Sequence, residues 1–333
     1  MKVIRNGIFF LVFFAAIAGV LIINPFNPEA TEAELTAAQD HILGTAKTEG
    51  VEAAINETEA MMARYRVGYN FCHPITSIIG KIEGEQFLKF SDAVIYPDKI
   101  LASCTGGYIH GVVEGYLKKA IDLAAAANSV CDVFIKDGRI GWYATCIHGV
   151  GHGLMAATGN DLPKALKMCG ALPVDERFQE GCTDGVYMEN FDAGHHKGDG
   201  ERSPYMKDED AFYPCAEQPE SLKGRCYLHT AEHHLLHYPG DFHGALNNCL
   251  KAPEDFRQFC FFNAGKRIVQ NHLQNPKKAE RLCEKNAGDY IESCIQGMAN
   301  GFQEFFTPGR GKEMCTQILN FRNRKLCQDK FKQ

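Results

Sequence analysis

A chain of 333 residues with 45% apolar content is long enough to bury a large core. Its net charge of −6, with no lysine/arginine run outside the C-terminal Arg322, Arg324, Lys325, Lys330 and Lys332, excludes a nucleic-acid surface and leaves that basic stretch as a solvated capping helix. No phosphate-binding loop, haem attachment motif or Ser-His-Asp order stands out, and there is no CxxC pair among the 14 cysteines.

The chain opens with Lys2 and Arg5, followed by sixteen uncharged residues, Ile8–Ile23, that end at Asn24-Pro25. This is the layout of an export signal or an uncleaved anchor. Sixteen residues are short of the roughly 20 that span a bilayer. Yet the one small-x-small site, Ala16-Ile17-Ala18, would leave the apolar Gly19–Ile23 as a new terminus. The expectation is a type II signal anchor, a transmembrane helix over residues 1–23, with the remainder in the periplasm, the extracellular space or a secretory lumen. Cleavage would make it secreted. Residues 24–30 read as a linker. Residues 31–70 read as an N-terminal helical cap or stalk. In it Thr31 and Glu34 form a capping box, the first helix ends near Gly44–Gly50, and a second covers Val51–Tyr69.

Residues 71–333 carry a repeat marked by cysteine. A small residue stands four before the first cysteine of each unit: Ala127 before Cys131, Ala165 before Cys169, Ala211 before Cys215, Ala245 before Cys249, Ala279 before Cys283 and Gly311 before Cys315. A large apolar residue stands four before the second: Trp142 before Cys146, Phe178 before Cys182, Leu222 before Cys226, Phe256 before Cys260 and Tyr290 before Cys294. Spacing of four keeps both members on one helix face. Asn323 breaks the pattern before Cys327, as a terminal cap does. The second cysteines Cys104, Cys146, Cys182, Cys226, Cys260, Cys294 and Cys327 lie 33 to 44 residues apart, the period of stacked helical hairpins. Six disulfides fall inside the repeats, joining Cys131 to Cys146, Cys169 to Cys182, Cys215 to Cys226, Cys249 to Cys260, Cys283 to Cys294 and Cys315 to Cys327. Cys72 and Cys104 then pair by exclusion. The alternative, metal thiolates, lacks the short spacing that zinc sites favour. Oxidised cysteines agree with the exported location.

The predicted fold is therefore all-α, an α/α solenoid of about six disulfide-stapled hairpins behind a membrane anchor. From about residue 105 onward the layout resembles tetratricopeptide-like solenoids with one disulfide per repeat. The resemblance is one of architecture and implies no activity. The insertion His195–Asp210, rich in glycine and charge, reads as an exposed loop.

Counting each inner helix from its second cysteine, position +6 holds His110, His152, Met188, Glu232, Lys266 and Asn300. Position +2 holds Gly106, His148, Asp184, Leu228, Phe262 and Gln296. Position +3 holds Gly107, Gly149, Gly185, His229, Asn263 and Gly297. Glycine at one register points to close helix approach or to backbone left bare for a ligand. His110 with Glu114, His148 with His152, and His229 with His233 are i,i+4 pairs, each able to present two ligands on one face. Helices stacked roughly 8–10 Å apart would let His110, Glu114, His148 and His152 share one transition-metal site, iron, copper or zinc, with Asp184 and Glu189 extending it. The same histidines also fit a structural role as core hydrogen-bonding groups, and convergence of their nitrogens would distinguish the two. His73 reads as a local packing residue, and His195 and His196 as loop residues.

A second candidate site is His229-Thr230-Ala231-Glu232-His233, which matches the H-x-x-E-H pattern and so resembles the inverted zinc-protease signature. That resemblance makes His229 and His233 zinc ligands and Glu232 the general base. Three functional readings follow: a metal-binding protein or metal-dependent enzyme, a non-catalytic scaffold holding a protein partner in its concave groove, and a zinc hydrolase.

Overall fold

The computed structural model describes residues 31–64, 69–87, 90, 97–101, 103–192, 203–272, 275–305 and 308–332. The expected anchor over 1–23 and the linker over 24–30 lie outside the described residues. Within those residues the chain is helical, contains no β-strand, and has no helix long and apolar enough to cross a membrane.

Helix α1 (Glu32–Thr48) starts as its sequence predicts: Thr31 Oγ1 accepts from the Glu34 amide at 3.3 Å, and Glu34 Oε2 accepts from the Thr31 amide at 2.8 Å. It continues past Gly44 to Thr48. It is followed by α2 (Val51–Arg64), α3 (Tyr69–Gly84), the single turn α4 (Asp98–Leu101) and α5 (Ser103–Lys118). From there short outer helices alternate with long inner ones. The short helices are α6 (Leu123–Ser129), α7 (Asp132–Lys136), α9 (Leu162–Gly170), α12 (Phe242–Cys249) and α14 (Pro276–Asn286). The long ones are α8 (Gly141–Ala157), α10 (Glu176–Asp192), α11 (Glu220–His237), α13 (Glu254–Asn271) and α15 (Ile291–Phe305). Two short helices, α16 (Pro308–Thr316) and α17 (Phe321–Asp329), end the chain. Asp122, Asp161, Asp241 and Asn275 each accept a backbone amide three residues on, so the same side-chain cap starts four of the outer helices.

All seven expected disulfides form. Cys72 is bonded to Cys104, Cys131 to Cys146, Cys169 to Cys182 and Cys215 to Cys226. Cys249 is bonded to Cys260, Cys283 to Cys294 and Cys315 to Cys327. Their Cα separations run from 5.3 to 5.9 Å, and no cysteine is free. Each bridge ties an outer element to its inner helix, or α3 to α5, or α16 to α17. Seven disulfides fit an oxidising, extracytoplasmic compartment. The inner helices pack in chain order, α3 on α5, then α8, α10, α11, α13 and α15. In addition α13 touches α3 and α15 touches α5, so the row curls back on itself.

Glycine sets the closest of these contacts. A Cβ at Gly107 would stand 2.9 Å from the His73 carbonyl oxygen, one at Gly185 2.1 Å from His148 O, and one at Gly297 1.8 Å from Phe262 O. Of the two meanings glycine had at this register, close helix approach is the one these positions serve.

Two expectations need correction. The helix expected from Cys104 begins regularly only at Gly107, because Cys104, Thr105 and Gly106 are left-handed, with φ of 51°, 60° and 83°. Cys104 is held there by its bridge to α3 and by its carbonyl, which accepts from His73 Nδ1 at 2.8 Å. The insertion expected to be an exposed loop is exposed at Pro204 and over Lys207, Asp208, Glu209 and Asp210, but it is pinned to the interior at two points. Ser203 and Met206 are buried, and Ser203 Oγ donates to Asn190 Oδ1 at 2.6 Å. His195 and His196 lie outside the described residues.

Candidate metal centre

The concave side of the inner row encloses a groove of about 650 Å³. Its walls come from a simple register. At position +2, Gly106, His148, Asp184, Leu228 and Phe262 line it. At position +6, His110, Met188, Glu232, Lys266 and Asn300 do. These positions differ by four and so share one helix face. No cysteine is among the lining residues. Cys131, Cys169, Cys215, Cys249, Cys283 and Cys315 are buried at the outer ends of their bridges, where they staple the hairpins and take no part in the site.

At one end of the groove, three imidazoles converge. His110, His148 and His152 each offer a ring nitrogen, and the three atoms lie within 4.8 Å of one another. Their ring centroids form a triangle with sides of 4.9, 5.2 and 5.0 Å. His110 comes from α5, the other two from adjacent turns of α8. A Cβ at Gly149 would press on His110 Cα at 3.2 Å, so glycine is what lets α8 approach.

One ring is hydrogen-bonded to a carboxylate from behind, and a second has a carboxylate nearby. His152 Nδ1 donates to Glu189 Oε2 at 2.7 Å, and His148 Nδ1 faces Asp184 Oδ2 at 3.6 Å. Both Nε2 atoms therefore point forward and meet at 3.2 Å. At that distance one Nε2–H donates to the other ring nitrogen, and a metal ion could take that proton's place. Two tetrahedral ligands with metal–nitrogen bonds of about 2.0–2.1 Å are themselves about 3.3 Å apart. A carboxylate behind each ring is the arrangement that holds metal-ligating histidines in place. His110 supplies a buried Nδ1 with no hydrogen-bond partner.

Electrostatics favours unprotonated ligands. Burial, followed by the neighbouring His148 and His152, holds the His110 imidazole well below its ordinary value. Burial and His152 lower His148 to about 3, against the opposing pull of Asp184. At neutral pH both therefore offer lone pairs. A buried cluster of this kind could hold a metal ion.

The other predicted residues fall in different places. Glu114 is buried one turn beyond His110 but turns toward α3, where its Oε1 meets Lys81 Nζ at 2.7 Å. It does not join the three histidines. Asp184 stands behind His148, on the side away from the converging Nε2 atoms, and its other oxygen accepts from His229 Nε2 at 3.1 Å. His73 bonds the Cys104 carbonyl and sets its ring 5.3 Å from that of His110.

The second candidate site does not assemble as its motif implies. His229 spends both nitrogens on carboxylates, Nδ1 on Glu232 Oε2 at 3.0 Å and Nε2 on Asp184. Carboxylates only accept, so this ring carries both protons. Burial works against that charge, but Glu232 and Asp184 outweigh it and raise His229 to about 9. His233 points elsewhere and donates from Nε2 to the Lys207 carbonyl at 3.0 Å. Glu232 is held by Arg267 and by Asn263 Nδ2 at 3.1 Å, and these partners keep its carboxyl ionised despite burial.

No protein-family model, curated protein or solved structure matches this chain.

What sequence reasoning missed is the buried chain Arg267–Glu232–His229–Asp184 that runs from α13 to the back of His148. Arg267 and Lys266 carried a signal, since they occupy +7 and +6 of an inner helix, but they lie far along the chain from the histidines.

Proposed function

We propose that this protein binds one transition-metal ion through His110, His148 and His152, with Glu189 and Asp184 as the carboxylates that orient two of the rings. The observation that carries this reading is the Nε2–Nε2 contact of 3.2 Å between His148 and His152, each backed by a carboxylate at Nδ1. Three imidazoles and no thiolate suit zinc, copper or iron. In the same reading the hairpins stack as a tetratricopeptide-like solenoid. Residues 1–23 anchor the chain to a membrane, and the metal faces the oxidising side.

Metal analysis of full-length protein purified without a histidine tag tests it. About one equivalent of metal is expected, lost in the His148→Ala/His152→Ala variant while the seven disulfides remain. Absence of bound metal after exposure to zinc, copper and iron salts refutes it.

A further inference from the structure

The metal centre is open on one side. His110 and His148 line the groove, whereas His152 sits behind them and does not. Three protein ligands with a free side is the arrangement of metal sites that take an exchangeable ligand, as distinct from closed structural ones. The groove's volume of about 650 Å³ falls within the range of small-molecule sites, roughly 300–1,000 Å³.

The walls indicate what the ligand is. Asp184, Glu232 and Glu304 are matched by Arg225, Lys266 and the doubly protonated His229, so the lining carries no net charge. Behind the lining, Glu189 at His152 and Arg267 at Glu232 offset one another. A divalent ion on three uncharged imidazoles then leaves the site positive, which an anionic ligand offsets. Because α13 and α15 close back on α3 and α5, Lys266 belongs to the same cavity as the histidines. Lys266 Nζ meets Glu304 Oε1 at 2.9 Å, an ion pair that is partly exposed and therefore weak enough to rearrange. Beyond the charged groups the wall turns apolar at Met188, Leu228 and Phe262, on three successive inner helices.

We propose that the groove takes a small amphipathic organic anion. Its carboxylate binds at the open position of the metal beside Lys266, and its apolar tail lies along Met188, Leu228 and Phe262. This rests on the metal-binding reading above. Full-length protein loaded with Co(II) tests it, because the visible absorption of Co(II) reports a change of ligand. Octanoate is expected to shift the spectrum saturably and to bind at least about tenfold tighter than acetate, since its additional methylenes leave water. Octan-1-ol, with the tail and no charge, is expected to leave the spectrum unchanged. The Lys266→Met/Glu304→Gln pair of substitutions keeps the groove's net charge. It is expected to weaken octanoate about tenfold or more while still binding one Co(II), which also shows that it folds. Cobalt bound normally but indifferent to octanoate, or octanoate bound equally by the double variant, overturns the assignment. Failure of the wild-type protein to take up Co(II) overturns the metal reading beneath it as well, so the two failures are distinguishable.

Discussion

Gly111 follows His110, and its replacement by alanine perturbs fold and site together. A Cβ there would stand 1.9 Å from the Ser77 carbonyl oxygen and 2.8 Å from the Lys81 amide nitrogen. Both atoms are helix backbone, so neither can swing aside. Helices α3 and α5 must part by about 1.1 Å before the oxygen contact reaches 3.0 Å, the least that real Cβ atoms show. Overpacking of this kind costs about 1–3 kcal/mol. A gap of up to 1 Å also forfeits a quarter to a half of each dispersion contact across the seam. Gly80, Gly84, Gly107 and Gly115 lie at the same seam with neighbours 2.2–2.3 Å from a new Cβ, so the upper end of that range applies. Against it stands the better helix propensity of alanine, about 1 kcal/mol, leaving a net loss of about 2 kcal/mol. Gly44→Ala is the control. Gly44 is exposed on α1 with nothing within 4 Å of a new Cβ, so it keeps only the propensity gain. Guanidinium unfolding of the disulfide-intact chain, followed by circular dichroism, is expected to lower the midpoint for Gly111→Ala and raise it for Gly44→Ala. Metal sites tolerate ligand displacements of about 0.2 Å, so Gly111→Ala is also expected to weaken metal binding at least about tenfold. A Gly111→Ala protein as stable as the wild type, with unchanged metal affinity, would refute the glycine seam.

Glu189→Gln keeps the shape of the group behind His152 but removes its charge, and metal affinity measured by chelator competition is expected to fall about 10–100-fold. Burial and His152 hold folded His148 at about 3, while the unfolded chain binds a proton near 6.5. The metal-free protein therefore loses stability as pH falls from 6.5 toward 3, and His148→Gln is expected to flatten that acid limb in urea unfolding. His229 has the opposite sign. Burial opposes its charge, yet Glu232 and Asp184 raise it to about 9, so its contribution is full below pH 6.5 and disappears as pH rises through 9. His229→Gln is accordingly expected to cost more stability at pH 6 than at pH 9.5, and an equal cost at both would show that the ring is not charged. Replacing Cys249 and Cys260 together by alanine opens a loop with a separation of 11 residues and is expected to cost about 2–3 kcal/mol in the same assay.

The fold was legible where the signal repeats. A cysteine every 33 to 44 residues, with a small residue one turn before the first and a large one before the second, fixes both the pairing and the helix faces. Cys131, Cys169, Cys215, Cys283 and Cys315 each meet the next cysteine along the chain, 11 to 15 residues on, so the bridges needed no long-range information. The Asp or Asn cap before each of four outer helices is equally local. The left-handed stretch Cys104–Gly106 was not legible, because two of its three residues ordinarily avoid φ > 0. A disulfide to α3 and the His73 hydrogen bond hold it in place, and both partners are about 31 residues upstream.

The candidate site shows the same division. Positions +2 and +6 of each inner helix face the groove, which follows from a spacing of four, and this is why His110, His148 and His152 group together on sequence grounds. The spacing does not decide what each side chain meets. Glu114 is four residues from His110 on α5, but Lys81 of α3 lies within reach and takes it. His229 and His233 are also four apart, yet the Ser203–Pro214 segment supplies Lys207 O to one while Asp184 and Glu232 hold the other. A helical interval states that two side chains leave the same face, whereas shared coordination needs a third element that leaves both nitrogens unclaimed. On α8 that third element is α10, which offers Glu189 and Asp184 to the rear nitrogens of His152 and His148 and so leaves the front ones facing each other. On α11 the neighbouring carboxylates claim both nitrogens of His229, and the result is a buried ion-pair chain in place of a metal site.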